Sequence, residues 1–341
     1  MPPARDPLTV AITGPTGDIG RSLLRSLERS REIRRIVAMA RREFDPAAQG
    51  LKKTEYRRGD VLDADALAAL FEGADVVIHL AFIIMGGRQE TERINLEGSR
   101  NVFAAAVKAG AKRLVYASSV AAYGFHSDNP DLLTEDVSPR GTDRHYYSAQ
   151  KAALEGVLDE VVEGTSVDAY VFRPCIVAGP DALLLLENIP YITLSERVPG
   201  PVLRALEFMP ALKPVLPDPG VPFQLVHHDD VATAFRAAAL GRGTPGVYNL
   251  AGDGSLTMSD LADALGWYSV PLPDFAVGAA AEAVARLPFV PAEAQWIESF
   301  RSPVLMDTAK ARRELRWRPK HDARTTLQEM VDAARSDRLI R

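Results

Sequence analysis

The stretch that decides the fold is LTVAITGPTGDIGRSLLRSLE, residues 8–28. Its first six residues are a short apolar run with β-branched side chains, which predicts a buried strand. Gly14, Gly17 and Gly20 follow at G-x-x-G-x-x-G spacing. A helical pattern then runs from about residue 19 to residue 30. A strand, a glycine bend and a helix in that order open a βαβ unit.

The rest of the first half repeats the alternation. RIVAMA (35–40), DVVIHLAF (75–82), KRLVYASS (112–119) and DAYVFRP (168–174) read as further buried strands. Between the second and third of these, RINLEGSRNVFAAAVKAGA reads as a helix that ends at a glycine. Strands apolar on both faces, alternating with helices, predict an α/β fold: a doubly wound parallel sheet of the Rossmann type. Past Pro174 the texture changes. Residues 180–222 are rich in proline and large apolar residues. FQLVHHDDVATAFRAAAL then reads as a strand running into a helix capped by Asp229 or Asp230. GVYNLAG is a strand. SLTMSDLADALG is a helix with a Thr257/Asp260 capping-box pair and a terminal Gly266. The tail predicts two amphipathic helices, each opened by an aspartate. The expected organisation is a dinucleotide-binding domain over residues 1–180 plus about 223–253. A smaller, interleaved substrate domain takes 181–222 and 254–336.

Composition narrows the class. The 341 residues are 47% hydrophobic and 25% charged, an ordinary globular balance. A net charge of −5 argues against a nucleic-acid partner. The single cysteine excludes an intramolecular disulfide and suits a reducing cytoplasm. The opening MPPARDPLTVAITG lacks a signal-peptide pattern, and no apolar run reaches the roughly 18 residues of a membrane span.

The glycine bend suggests chemistry. Glycine allows a tight turn and lets backbone N–H groups approach a pyrophosphate, which then faces the positive end of the helix. On this reading Gly14, Thr16, Gly17, Asp18, Ile19 and Gly20 hold a dinucleotide. A bare glycine pattern would equally suit a strand terminator; its place between strand and helix favours the phosphate. An acid after the second strand would hold the ribose hydroxyls, but that position is Ala40, followed by Arg41 and Arg42. Two cations without the acid suit a 2′-phosphate, so NADP(H) is expected over NAD(H). The alternative is a solvated basic turn. Asp60, in GDV after the third strand, suits either the adenine or a helix cap.

DRHYYSAQKAALE (143–155) holds the candidate acid. Residues four apart share a helix face, roughly 6 Å apart, and Tyr147 has Lys151 at that offset. Tyr146 has Gln150, and is expected to pack. A tyrosine titrates near ~10; an adjacent ammonium favours its phenolate. YASSVAAYG supplies Ser118 and Ser119 at the carboxyl end of a parallel strand, where ligands bind in open α/β sheets. Alone, each element is common on solvated helices and strand ends. The order of glycine loop, Ser-Ser and Y-x-x-x-K gives them weight.

That order resembles the extended short-chain dehydrogenase/reductase family, which contains nucleotide-sugar epimerases and dehydratases. The matching pieces are TGPTGDIG, GDV, DVVIHLAF, INLEGSRNVFAAA, YASSVAAYG, YSAQKAALE, FRPCIVAGP, VHHDDVATA and GVYNLAG, over residues 8 to about 265. The resemblance implies a seven-stranded sheet, a substrate domain and a homodimer joined through helices. It implies that Ser119 polarises the substrate oxygen and that Tyr147 is the acid/base. Lys151 would lower its pKa and hold the nicotinamide ribose. It adds Asp60, Val61, Leu80, Ala81, Ser118, Pro174 and Ile176 to the cofactor-binding set. Two departures concern the substrate. Phe223 stands where nucleotide-sugar members carry an arginine, and Val120 and Ala121 follow Ser119 where dehydratases carry Thr-Asp or Thr-Glu.

The expected function is therefore an NAD(P)-dependent oxidoreductase acting on a carbonyl or alcohol of an apolar small molecule. A nucleotide-sugar epimerase and a non-catalytic NADP(H)-sensing regulator are the rivals. The apolar residues Leu183 to Leu186, Tyr191, Leu203, Leu206, Phe208, Met209, Leu212 and Leu216 suit a lipid-like pocket, the core of the small domain, or a partner surface. No metal site is expected: His227 and His228, adjacent on a strand, should face opposite sides. His79 is expected to be packed or bound to backbone, and Cys175 to be a small core residue. MDTAKARREL reads as a solvated helix.

Overall fold

The computed structural model describes residues 6–84, 88–143, 145–187, 189, 192, 213–273 and 302–340. A parallel sheet of seven strands forms its centre: β1 (Leu8–Thr13), β2 (Ile33–Ala40), β3 (Thr54–Arg58), β4 (Val76–His79), β5 (Arg113–Ala117), β6 (Asp168–Pro174) and β10 (Gly246–Leu250). Their order across the sheet is β10-β6-β5-β4-β1-β2-β3. The chain starts at β1, builds outward through β2 and β3, then returns to build the other side from β4. The winding thus reverses between β1 and β4, and the crevice past their carboxyl ends is where such sheets bind ligands.

β1 shows why these strands read as unbroken apolar runs. Val10 and Ile12 enter one core cluster and Ala11 enters the other. On the first face lie α1 (Asp18–Glu28), through Leu23, Leu24 and Leu27, and α7 (His228–Ala239), through Val231 and Phe235. On the second lie α2 (Ala64–Phe71), α4 (Gly98–Lys108) and α5 (Tyr146–Val162), through Leu67, Phe103, Leu154 and Leu158. Each fully buried leucine contributes about 1.5–3 kcal/mol relative to exposure. The helix expected across residues 93–111 begins earlier, at residue 88, and is built of three pieces. A short α3 (Arg88–Glu92) leads through a π-helical turn, Arg93–Glu97, into α4.

A smaller third cluster packs beside the sheet. It joins Leu186 of α6 (Leu184–Glu187), Leu216 of β8 (Val215–Asp218) and Leu225 of β9 (Leu225–His227). Leu261 and Leu265 of α8 (Met258–Leu265) and Leu327 and Met330 of α10 (Ala323–Ser336) complete it. Two small parallel ladders frame it: β7 (Ile176–Ala178) on β9, and β11 (Tyr268–Pro271) on β8. Leu186 and Leu216 are buried, and Leu183 and Leu185 pack on the cluster. These members of the apolar stretch are core. Tyr191, Leu203, Leu206, Phe208, Met209 and Leu212 lie outside the described residues.

The predicted caps divide. The Thr257/Asp260 capping box forms in both directions, and Gly266 ends α8 at φ 72°, a conformation that favours glycine. Asp322 caps α10. The cap of α7 is neither Asp229 nor Asp230 but His227, whose Nδ1 accepts from Asp229 N at 3.1 Å. Asp230 is buried instead. It accepts from Lys320 N, His321 N and His321 Nδ1, at 3.0, 3.0 and 2.8 Å, which fastens the C-terminal segment to the sheet domain. The helix read from MDTAKARREL, α9 (Ala309–Glu314), is docked rather than solvated, for Lys310 donates to Val247 O at 2.9 Å.

The expectation that His227 and His228 face apart is overturned. The strand ends at His227 and the helix begins at His228, so strand alternation stops between them. Their ring centroids lie 4.1 Å apart, and His321 stacks on His227 at 3.9 Å. His227, His228 and Asp229, and likewise His227, His321 and Glu329, bring donor atoms within 4.8 Å of one another. The nitrogens serve a structural junction. His228 Nδ1 meets Ser22 Oγ at 2.6 Å and its Nε2 accepts from Asp181 N at 3.2 Å. Because His227 Nδ1 accepts an N–H, its neutral ring carries the proton on Nε2, 3.1 Å from Glu329 Oε2.

Candidate functional site

The predicted residues gather past the carboxyl ends of β1, β4 and β5. Gly14 has φ +78°, and a Cβ there would lie 2.6 Å from Ala81 N. The bend after β1 therefore presses on the loop after β4, which brings Leu80 and Ala81 against Gly14. Gly20 is required by packing too: a Cβ would lie 2.6 Å from Gly14 O. Gly17 is different. It sits at φ −84°, ψ 177° as the N-cap of α1 with no side-chain cap, and a Cβ would meet only Gly14 O at 3.7 Å. Among the described residues nothing requires glycine there. A phosphate on the uncapped helix start, beside Thr16, Asp18 and Ile19, would account for the glycine, so the bend fits a dinucleotide.

One residue along, Phe82 carries the loop to the polar centre. Its ring meets that of Tyr147 edge-on, with centroids 5.5 Å apart, and Lys151 Nζ lies 3.7 Å above it. Lys151 and Tyr147 share one face of α5, as their spacing requires. The start of α5 is pinned: His145 caps it by accepting from Ser148 N, and Ser148 Oγ donates to Ala121 O at 2.6 Å. Opposite, β5 ends at Ala117 and the chain turns into a 3-10 turn, Val120–Tyr123, capped by Ser119. The Ser119 hydroxyl lies near the Tyr147 phenol and favours its ionised form. Ser119, Tyr147 and Lys151 thus come together.

Their charge states differ from the expectation. Burial pushes the Tyr147 phenol up to about 12, the Ser119 hydroxyl opposing it. Burial pulls the Lys151 ammonium down to about 7, with Glu155 opposing. The lysine does not reach the phenol because its head donates to Ala117 O at 2.7 Å and lies 5.8 Å from the Tyr147 ring centre. In the protein alone the phenol therefore rests protonated, as an acid.

The remaining cofactor-set residues are spread along the same edge of the sheet. Arg41 and Arg42 follow β2, exposed, and neither guanidinium has a partner among the described residues. Asp60 accepts from Leu62 N at 3.0 Å within the turn before α2, whose cap is Asp63 and not Asp60, and Val61 is buried against Gly98. Pro174 ends β6 and Ile176 opens β7. The Ser118 hydroxyl donates to Glu155. Tyr146 packs, with its hydroxyl on Ile84 O. His79 is bound to side chains rather than backbone: Nδ1 to Thr13 Oγ1 at 2.7 Å and Nε2 to Ser99 Oγ at 2.9 Å. Cys175 is buried and its thiol is pushed up by burial.

Sequence reasoning missed Phe82, Glu155 and Asn95. Asn95 sits in the π-helical turn, a feature frequent at functional sites. It clamps Ile83 through N and O at 2.8 and 2.9 Å and donates to Gln150 at 2.8 Å, which ties the loop after β4 to α5. The signal was a polar amide inside an otherwise amphipathic helix pattern.

The sequence model of the NAD dependent epimerase/dehydratase family matches residues 10–251. The chain belongs to this family. The resemblance drawn from the motifs, and the seven-stranded sheet it implied, both hold. Among members with sequence similarity, sterol demethylase protein B of Methylococcus capsulatus is 33% identical over 180 residues, 51% of this chain and 52% of that protein. Human 3 beta-hydroxysteroid dehydrogenase type 7 is 31% identical over 163 residues, 45% of this chain and 44% of that enzyme. This chain thus spans about half the length of these two relatives. Among solved structures, gox2253 superposes with a TM-score of 0.72 at 23% identity, covering 98% of this chain and 100% of its own. UDP-glucuronic acid 4-epimerase from Bacillus cereus, in complex with NAD, superposes at 0.69 and 17% identity, covering 96% and 99%. At these identities the structural likeness establishes the fold. Among the described residues, no helix is long and apolar enough to cross a membrane.

Proposed function

We propose that this epimerase/dehydratase-family chain is an NAD(P)-dependent oxidoreductase that interconverts a carbonyl and a secondary alcohol on an apolar, sterol-like molecule. The observation that carries the reading is Ser119 beside the Tyr147 phenol, with Lys151 one helical turn on. Phe82 joins this set to the glycine bend.

A bound nicotinamide supplies the hydride donor or acceptor. The protein supplies the rest. Ser119 Oγ holds the substrate oxygen beside the phenol. In reduction Tyr147 gives its proton to that oxygen as negative charge develops there; in oxidation it takes the proton back. A resting phenol at about 12 is suited to the first role. Lys151, at about 7, has a proton to lend or withdraw near neutrality, and its ammonium steadies the phenolate once the phenol has given up its proton. Phe82 and Tyr116 wall the lysine from water, which strengthens its charge interactions.

The sterol-like class is supported by the names of two relatives, a sterol demethylase protein and a 3 beta-hydroxysteroid dehydrogenase. It also accords with Phe223, which packs on the third cluster where the resemblance implies an arginine for a nucleotide sugar. NADP(H) is favoured over NAD(H) by the unpartnered Arg41 and Arg42. A homodimer in a reducing cytoplasm completes the reading. The test is a screen of 3-hydroxysterols and other apolar secondary alcohols with NADP+ and NAD+, followed by reduced-nicotinamide absorbance. Turnover of a UDP-sugar with tightly retained NAD+, and of no sterol, would assign the epimerase instead.

A further inference from the structure

Tyr147, Lys151 and Glu155 occupy every fourth position of α5, and so lie in one row along the helix. Each meets one of three consecutive residues at the end of β5. Tyr147 lies beside Ser119, Lys151 donates to Ala117 O at 2.7 Å, and Glu155 Oε1 accepts from Ser118 Oγ at 2.5 Å. The third rung is the firmest. Arg173 of β6 grips the Glu155 carboxylate through Nη2 at 2.5 Å and Nε at 3.0 Å, with the two side chains 2% and 5% exposed. The guanidinium is itself placed by the Tyr123 ring, 4.3 Å away, and by Val137 O at 3.3 Å.

A buried ion pair adds little stability over apolar residues of the same shape. This one is placed where it does two other things. It holds the Ser118 side chain, between the two neighbours that meet the lysine and the tyrosine. It also sets a carboxylate one turn below a lysine whose charged form burial disfavours.

We propose that Glu155 is a positioning residue: with Arg173 it locks the end of β5 onto the reactive face of α5 and sets a negative charge one turn below the Lys151 head group. The inference rests on the reading of Tyr147 and Lys151 as the reactive pair. It enlarges the Y-x-x-x-K pair to Y-x-x-x-K-x-x-x-E, with Arg173 as the outer partner. Among the described residues, the titratable groups facing Lys151 are Tyr147 and Glu155 from its own helix, Tyr116 from β5 and His79 from β4. Arg173 and Asp159 stand behind Glu155. Of those facing the lysine, Glu155 alone is a carboxylate, so the charge effect is assigned to it.

The experiment follows the titration of Lys151 by NMR in the full chain with 13Cε-labelled lysine, the resonance assigned from Lys151→Gln. Glu155→Gln keeps an acceptor for Ser118 and removes the charge. The Lys151 midpoint is expected to fall by about one pH unit or more, and Glu155→Asp is expected to restore most of it. Should Glu155→Gln leave Arg173 too exposed to fold, Glu155→Gln/Arg173→Gln removes both charges, and the same downward direction is expected. An unmoved midpoint in a folded variant overturns the proposal, because a packing role alone would not shift it. The readout needs no turnover. A wild-type chain that transfers no hydride therefore fails the functional reading separately, and an active chain with an unmoved midpoint fails this inference alone.

Discussion

Replacing Gly17 with alanine separates folding from binding. The backbone at Gly17, φ −84° and ψ 177°, is open to any residue. A methyl group there meets only Gly14 O at 3.7 Å, an ordinary contact. Loss of a glycine N-cap to alanine costs about 1 kcal/mol or less. The same methyl stands where a phosphate must approach the helix N–H groups. If it displaces one hydrogen bond to a charged oxygen, about 1.5–3 kcal/mol of binding is lost, roughly a 10- to 100-fold weaker Kd. Gly14→Ala is the control with the opposite signature. It forces φ +78° on alanine, costing about 1–2 kcal/mol, and drives Cβ to 2.6 Å from Ala81 N, adding about 1–3 kcal/mol of overpacking. Chemical denaturation and fluorescence titration with NADPH and NADH read the two effects separately. Gly17→Ala should fold like wild type and bind poorly; Gly14→Ala should be less stable by about 2–5 kcal/mol. Wild-type affinity in Gly17→Ala, or equal destabilisation of both variants, refutes the reasoning that the bend is shaped for a bound phosphate.

The other expectations concern stability and coenzyme choice. Burial holds His79 near about 3, and His145 and His227 near about 4, against an unfolded value of 6.5. Between those limits the unfolded chain binds more protons, so stability must fall as pH drops from 6.5 towards 4. At about pH 5.5 each histidine costs about 1.4 kcal/mol, or about 4 together; guanidinium unfolding at pH near 7.5 and 5.5 measures it, and equal stability at both refutes it. Arg41→Ala/Arg42→Ala should weaken NADPH by about 10-fold or more and leave NADH unchanged; an unchanged NADPH titration removes the 2′-phosphate argument. Thr257→Ala removes the side-chain arm of the capping box of α8, leaving Asp260 to accept from the backbone N–H of residue 257, and should cost about 1 kcal/mol, read from the denaturation midpoint.

The legible parts of this molecule were those written in local order. β1 and β6 stand at the residues their apolar runs marked, and the capping box and Gly266 end α8 as read. Tyr147 and Lys151 were found because four-residue spacing on a helix is a local fact. What escaped depends on partners brought from afar. Phe82 reaches Lys151 only because the loop after β4 is pressed on the glycine bend, and Glu155 meets Arg173 only because β6 lies next to β5. The cap of α7 fell to His227 because Asp230 was drawn off by the backbone at 320 and 321, which no nearby residue announces. The direction of the Tyr147 shift was misjudged for a similar reason. Spacing gives the distance between two side chains but not their burial, and the carbonyl of Ala117 holds the ammonium.

The proton relay is tested most directly by comparing Tyr147→Phe with wild type on the best substrate found, measuring hydride transfer and dinucleotide affinity on the same preparation. The account predicts that turnover falls by about 10²- to 10⁴-fold while the Kd for the dinucleotide stays within about 2-fold. Hydride transfer at the wild-type rate in the phenylalanine variant would contradict it.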